Sequence, residues 1–295
     1  MSGDHRTGLL LAASAFVFWG LTPFYFKAMP GVSPLEVVSH RIVWSTFILA
    51  GLLLIINREF FKGAVSHLKK HGWILGLAAT LLAVNWLTYI YAVTNGRVLE
   101  ASLGYFINPL VNVALAAVFL KERLSRIQTI AVILATIGVS QEVFRFGQLP
   151  VLAIIMAGTF GIYGLIRKKV AIAGSEGLFI ETLLLLPFAG GYLFYLGLEN
   201  RMAFVYQGSL ITCLLLSAGL VTTLPLIWFI SATKKLDYSI VGMMQYIAPT
   251  LMCVLGYWIY REGFPPGRMI TFALVWSGLL MVVGESLWHM RSRTY

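Results

Sequence analysis

The sequence predicts an all-α integral membrane protein, with ten transmembrane helices arranged as two inverted five-helix repeats. Three observations predict it. First, 59% of the 295 residues are apolar and only 12% are charged, with a mean hydropathy of +0.83. An ordinary soluble domain carries about 25% charged residues to cover its core. Second, ten apolar windows of spanning length follow one another with short polar joints. A spanning helix needs about 20 mostly apolar residues. Third, the chain matches itself when slid by 140 residues. This composition argues against an aqueous enzyme, a disordered chain and a disulfide-rich secreted module.

The spans fall at about 8–28, 33–56, 73–94, 98–120, 126–144, 149–166, 177–197, 208–232, 237–260 and 267–288. Turn-forming or polar residues punctuate them in order: Pro30-Gly31, Asn57-Arg58, Asn95-Gly96, Lys121-Glu122-Arg123, Gly147 to Pro150, Gly174-Ser175, Glu199-Asn200-Arg201, Lys234-Lys235 and Pro265-Pro266-Gly267. The first window is too long for a signal-peptide core and lacks a small-residue cleavage site, so it reads as span 1. The longest polar gap, Asn57 to His71, leaves no room for a separate soluble domain.

Charge tests the layout. With loops numbered alternately, one side holds 15 of the 22 Lys and Arg residues and the other holds six, with Arg41 inside span 2. That asymmetry predicts both termini in the cytoplasm and an even number of spans. It also accounts for the net charge of +10 without a nucleic-acid partner, because the cations sit between apolar runs rather than on one soluble face. The two cysteines, Cys213 and Cys253, lie in apolar runs and read as reduced, buried side chains.

The 140-residue offset places Tyr89 to Ala92 on Phe229 to Ala232, Ile107-Asn108-Pro109 on Ile247-Ala248-Pro249, Lys121-Glu122 on Arg261-Glu262, and Gly138 on Gly278. The repeats are 1–146 and 147–295. Five spans per repeat is an odd number, so the halves cross the bilayer in opposite senses. Secondary transporters built this way bind substrate near the midplane, between the halves.

The residues Phe18-Trp19-Gly20, mid-helix Asn108-Pro109, Lys121 to Leu124 and Ile137-Gly138-Val139 resemble an EamA repeat. The second copy runs through Tyr246 to Pro249, Arg261-Glu262 and Ser277-Gly278. Two such repeats are similar to the drug/metabolite transporter superfamily. Trp19 to Lys27, with Glu36 and His40 to Ser45, resembles its RarD subgroup. The resemblance implies a ten-helix basket that exports or exchanges small organic metabolites or drugs. The copies differ, since Trp19 has no Trp counterpart and Glu181 lies opposite Arg41.

Arg41 is the first candidate for substrate binding. A cation at mid-span costs about 2.5–3.5 kcal/mol on insertion scales, so it faces the protein interior or a wet cavity and needs a partner. It anchors an anionic substrate or completes a structural ion pair, and Glu181 is its candidate partner and a candidate for coupling. Glu36, His40 and Trp44 share one helix face at four-residue spacing. His40 is a candidate proton relay. Glu36, Glu100, Glu142 and Glu285 lie near span ends, where solvation is cheap. The second candidate cluster is aromatic and amide: Trp19, Asn85, Trp86, Tyr89, Tyr105, Asn108, Trp228, Gln245 and Tyr246. Such a set grips an organic molecule by stacking, with amides fixing its orientation. Helix–helix packing is the alternative role for each member. Trp73, Tyr257, Tyr260 and Trp288 suit the membrane interface, and Gly158, Gly161 and Gly164 suit close helix packing.

No GxxxxGK[ST] loop, HExxH pair or Cys/His cluster occurs, so no ATP, metal or other cofactor is expected. The only aspartates, Asp4 and Asp237, sit at span edges, which argues against an aspartyl protease. The rivals to a transporter are an intramembrane enzyme and a membrane sensor or assembly partner; the inverted repeat favours transport. Substrate, coupling ion and oligomeric state are left open.

Overall fold

The computed structural model describes residues 2–95, 97–258 and 266–292, and among the described residues there are helices and no strand. The helices are α1 (Ser2–Lys27), α2 (Pro34–Ile56), α3 (Glu59–Thr94), α4 (Val98–Phe119), α5 (Arg126–Phe146), α6 (Val151–Lys169), α7 (Gly174–Leu198), α8 (Ala203–Tyr206), α9 (Ser209–Lys235), α10 (Tyr238–Met244), α11 (Ile247–Trp258) and α12 (Pro266–Ser292). Among the described residues, eight helices are long and apolar enough to cross a membrane. The expected ninth span is not one helix but the pair α10 and α11. The tenth is α12, with a shorter apolar stretch, Met269–Glu285.

The break in span 9 falls one turn before Pro249. Pro249 lacks an amide proton and its ring crowds the carbonyl four residues back, which is that of Gln245. Ala248 N donates to Gln245 O instead, at 3.2 Å, in a tighter turn. Pro109 sits at the equivalent place in α4, yet that helix runs through it.

Two expectations about the ends need correction. The polar gap Asn57–His71 is helical from Glu59 onward, as the start of α3. Its 36 residues make a helix about 54 Å long at 1.5 Å per residue, against a hydrocarbon thickness of about 30 Å. The rings of Phe60 and Phe61 lie 6.1 Å and 5.6 Å from that of Phe179, near the start of α7. The first turns of α3 therefore lie along the bundle face rather than projecting from it. Glu36 and Glu100, expected to be solvated, are 2% and 1% exposed. Glu36 Oε1 accepts from Phe204 N, and Glu100 Oε1 accepts from Leu152 N at the start of α6. A carboxylate near a helix start satisfies backbone donors that have no partner within the helix.

Helices of one sequence half pack mainly on the other half. The contacts are α1 with α9 and α11, α6 with α3 and α4, α2 with α7 and α9, α5 with α12, and α4 with α10. The 140-residue offset maps α1 onto α6, α3 onto α9, and α4 onto α10 and α11. It thereby exchanges the α1–α9 contact with α6–α3, and α1–α11 with α6–α4. Small residues permit the closest crossings. A Cβ on Gly219 would stand 2.5 Å from the Trp44 carbonyl carbon, and one on Gly278 would stand 2.8 Å from Ala131 O.

The outer surface is apolar, with Phe47, Ile55, Phe144, Phe188 and Phe194 exposed, as a lipid-facing surface requires. Trp288 is exposed near the end of α12, whereas Trp73 is exposed well inside α3 rather than at a helix end. Cys213 is exposed, not buried, on a side of α9 shared with exposed Leu210 and Leu216. Lipid and protein core are equally apolar, so hydropathy does not separate them. Gly96, Tyr260, Arg261, Glu262 and Pro265 lie outside the described residues, as do the side chains of Cys253 and Tyr257.

Candidate functional site

The middle of the bundle holds a cavity of about 710 Å³ of atom-free space, its mouth included. Its wall comes from both sequence halves. α1 presents Trp19, Thr22 and Phe26; α2 presents Arg41; α3 presents Asn85, Trp86 and Tyr89; α4 presents Gly104, Tyr105 and Asn108. α6 adds Met156 and Phe160, α9 adds Val221 and Leu226, and the break between α10 and α11 adds Gln245. Two pairs in this wall, Trp86 with Leu226 and Tyr105 with Gln245, lie 140 residues apart. The cavity therefore includes equivalent positions of the two repeats.

Among the described residues Arg41 is the one cation in the wall, and it is 8% exposed. Its Nε donates to Thr222 Oγ1 at 2.8 Å, and that hydroxyl donates onward to Ala218 O at 2.7 Å. The guanidinium carbon stands 4.2 Å from the centroid of the Trp86 ring and 5.7 Å from that of Phe26. Among the described residues no carboxylate pairs with it. Ring faces and a threonine orient the cation but leave its charge without a counter-ion. A desolvated cation–π contact is worth about 2 kcal/mol, which offsets only part of the cost of removing the charge from water.

The rest of the wall is aromatic and amide. Tyr89 and Tyr105 meet edge to face with centroids 5.7 Å apart, and Trp19 meets Phe160 in the same way at 5.5 Å. Asn85 Nδ2 donates to Met156 O and Thr159 Oγ1, tying α3 to α6. Asn108 is 4% exposed, and its Oδ1 is buried without a hydrogen-bond partner. The cavity thus offers a cation for an anion, an unmet acceptor for an N–H or O–H group, and flat rings for a planar body.

Of the residues proposed from sequence, Trp19, Arg41, Asn85, Trp86, Tyr89, Tyr105, Asn108 and Gln245 meet at this cavity. Four others do not. His40 points elsewhere because successive residues lie about 100° apart around a helix. Its Nδ1 accepts from Trp44 Nε1 at 3.1 Å, and its ring stacks on Phe204 at 4.9 Å. With Glu36, this face of α2 holds the short helix α8. Trp228 meets Phe18 edge on, and Tyr246 is buried against Phe106.

The suggested Arg41–Glu181 pair is corrected. Glu181 Oε1 lies 3.3 Å from Arg167 Nη1, and its Oε2 accepts from Tyr163 Oη at 3.2 Å. Sliding this α6–α7 pair back by 140 residues gives Lys27 and Arg41. Those are both cations and do not pair with each other. The second half therefore closes an ion pair where the first half leaves Arg41 to the cavity.

Thr22, Phe26, Gly104, Met156, Phe160, Val221 and Leu226 complete the wall and had not been singled out. Helical spacing was the available signal for most of them. Residues 19, 22 and 26 share a face of α1, and residues 104, 105 and 108 share one of α4.

The chain is similar to known proteins. The model of the EamA-like transporter family matches residues 6–140, the first repeat. An uncharacterized transporter of Vibrio cholerae is 44% identical over 284 residues, covering 96% of this chain and 94% of that protein. Protein RarD of Salmonella typhi is 42% identical over 289 residues, covering 98% of each. Protein RarD of Escherichia coli is 41% identical over 286 residues, covering 97% of each. A solved crystal structure superposes with a TM-score of 0.71 at 15% identity, covering 94% of this chain and 98% of that one. That likeness speaks for the fold alone. With about 40% identity to RarD proteins along nearly its whole length, the chain belongs to the EamA-like transporter family, in its RarD group, and is a multi-pass membrane transporter.

Proposed function

We propose that the chain is a secondary transporter that exports or exchanges small organic molecules by alternating access. Its two halves, 1–146 and 147–295, act as inverted repeats in a bacterial inner membrane, with both termini in the cytoplasm. The observation that carries this reading is Arg41, a buried cation in the cavity wall whose partners are a hydroxyl and ring faces rather than a carboxylate. A substrate carboxylate or other anionic group supplies the missing counter-ion, while its planar part lies among Trp19, Trp86, Tyr89 and Tyr105.

The cavity wall includes no carboxylate or imidazole among the described residues. Transport then runs down the substrate's own gradient, or by exchange. Glu181 and His40, the candidates for proton coupling, lie outside the wall.

Counterflow in proteoliposomes, screened with labelled amino acids, aromatic metabolites and antibiotics, tests the reading. Accumulation of an anionic or zwitterionic aromatic compound, lost in Arg41→Ala, supports it. Binding without flux would favour a sensor. Collapse of an imposed pH gradient leaves accumulation unchanged if no proton is coupled.

A further inference from the structure

A chain of buried polar groups leads from the cavity to the end of the bundle that carries Glu122, Lys168 and Lys234. Gln245 lines the cavity, and its Oε1 accepts from Asn112 Nδ2 at 2.8 Å. On the other side of the same amide, Tyr238 Oη lies 3.1 Å from Asn112 Oδ1 and donates to Gly161 O at 2.8 Å. Asn112 and Tyr238 are both fully buried. Gln245 and Tyr238 flank α10 at its two ends, so Asn112 bridges the whole length of that helix.

The outer end of α10 is latched. Glu122 Oε1 accepts from Tyr238 N at 2.8 Å, and Glu122 Oε2 accepts from Ser239 N and Oγ at 3.1 Å and 2.9 Å. Lys168 Nζ lies 3.6 Å from Glu122 Oε1 and donates to Thr233 O and Leu236 O at the end of α9. Lys234 Nζ returns the contact by donating to Val170 O. These contacts draw α6, α9, α10 and the segment after α4 together. The inner end of α10 is the joint at Gln245, where the helix breaks from α11.

The surroundings are shaped for the bridge. A Cβ on Gly242 would stand 2.8 Å from Asn112 Cβ, one on Gly161 would stand 3.0 Å from Asn112 Oδ1, and one on Gly164 would stand 2.1 Å from Tyr238 Oη. The tyrosine hydroxyl has one proton and faces two acceptors, the Asn112 and Gly161 oxygens. Turning both amides over relieves that competition, because Asn112 then donates to the hydroxyl while Tyr238 donates to Gly161 alone. The same turn presents the Gln245 oxygen to the cavity in place of its amide protons. The polarity of a group bound at Gln245 therefore sets how firmly Tyr238, and with it α10, is held.

We propose that Asn112 is a positioning residue that couples occupancy of the cavity at Gln245 to the latch formed by Glu122 and Lys168 on α10. The proposal rests on the alternating-access reading above, but its test needs neither substrate nor flux. The test uses the full chain with both cysteines replaced by serine. Spin labels sit at Lys169→Cys and Asp237→Cys, two exposed sites at the end of α6 and just before α10, and pulsed dipolar spectroscopy reads the distance between them.

Asn112→Leu, Gln245→Leu and Tyr238→Phe should each raise the long-distance population at least threefold. Asn112→Leu added to Gln245→Leu should raise it no further, because residues in one chain of bonds do not act independently. Thr136→Val, an exposed position on α5 that lies off this chain and outside the cavity wall, should leave the distribution as it was. Where Asn112→Leu fails to fold, the smaller Asn112→Ser and Tyr238→Phe carry the same comparison. An unshifted distribution in Asn112→Ser and Tyr238→Phe, or an additive shift in the double variant, overturns the coupling. A null result in counterflow with intact distance shifts would instead count against the transport reading.

Discussion

Arg167 and Glu181 stand 3.3 Å apart with side chains 0% and 1% exposed, and Gly177 makes their approach possible. A Cβ at Gly177 would fall 2.0 Å from Arg167 Nη1. Arg167 Nη2 also reaches Ala173 O and Gly174 O, each at 3.3 Å, so the pair fastens the turn between α6 and α7. Removing one partner of such a pair strands a buried charge, whereas replacing both with apolar groups does not. Arg167→Met should therefore cost roughly 3–5 kcal/mol, and Arg167→Met with Glu181→Leu should recover most of it. Thermal unfolding in detergent micelles reads both. Equal losses in the single and double variants would contradict the pairing.

Arg41 should behave in the opposite way. Its charge lines the cavity, so on the proposed reading Arg41→Ala should fold with an unchanged melting midpoint while initial counterflow falls by an order of magnitude or more, equivalent to at least about 1.4 kcal/mol of lost interaction. Arg41→Lys keeps the charge but not the planar face on Trp86 or the Nε bond to Thr222, and should fall between the two. Counterflow at the unsubstituted rate in Arg41→Ala would remove the anchor from the mechanism.

Two glycines of α6 make a paired test of packing. A methyl at Gly164 meets the Tyr238 hydroxyl at 2.1 Å, whereas one at Gly158 meets nothing within 4 Å. Gly164→Ala should lose about 1–3 kcal/mol by overpacking, and Gly158→Ala should stay within about 0.5 kcal/mol. Melting midpoints of the two variants, compared side by side, decide it.

His40 should report on a loop rather than on the substrate. Its ring stacks on Phe204, while Glu36 takes the Phe204 amide proton. His40→Ala and Glu36→Ala should each speed hydrogen exchange at residues 203–206 about tenfold, a loss of roughly 1.4 kcal/mol of local stability. Unchanged exchange there would mean that other contacts hold the segment.

The architecture was legible because the bilayer leaves few solutions. Hydropathy windows, loop charges and a 140-residue self-match located ten spans, and the aromatic and amide residues of α3 and α4 do reach one cavity. What escaped was direction around each helix axis. His40 and Arg41 are adjacent in sequence yet face different surroundings, and Cys213 lies in an apolar run yet points outward. Apolar periodicity is blurred where lipid and core are alike, so α2 and α9 offered no stripe from which to orient them. The Arg41–Glu181 pairing failed for a related reason. Repeat symmetry relates positions, whereas ion pairs depend on neighbours, and the neighbour of Glu181 is Arg167. Asn112 went unnoticed because one amide in an apolar helix carries no mark of the two partners it joins.

The jointed arm of α10 and α11 has no equal in α4, which runs unbroken through its own proline. On the proposed alternating-access reading, opening toward one compartment bends a hinge while opening toward the other swings a rod, and the two barriers differ. For an uncoupled carrier, detailed balance still forces the ratio of maximal velocity to half-saturation concentration to be identical from both compartments. The asymmetry must therefore surface elsewhere: influx and efflux saturate at different ceilings, and the slower ceiling comes with proportionally tighter apparent affinity.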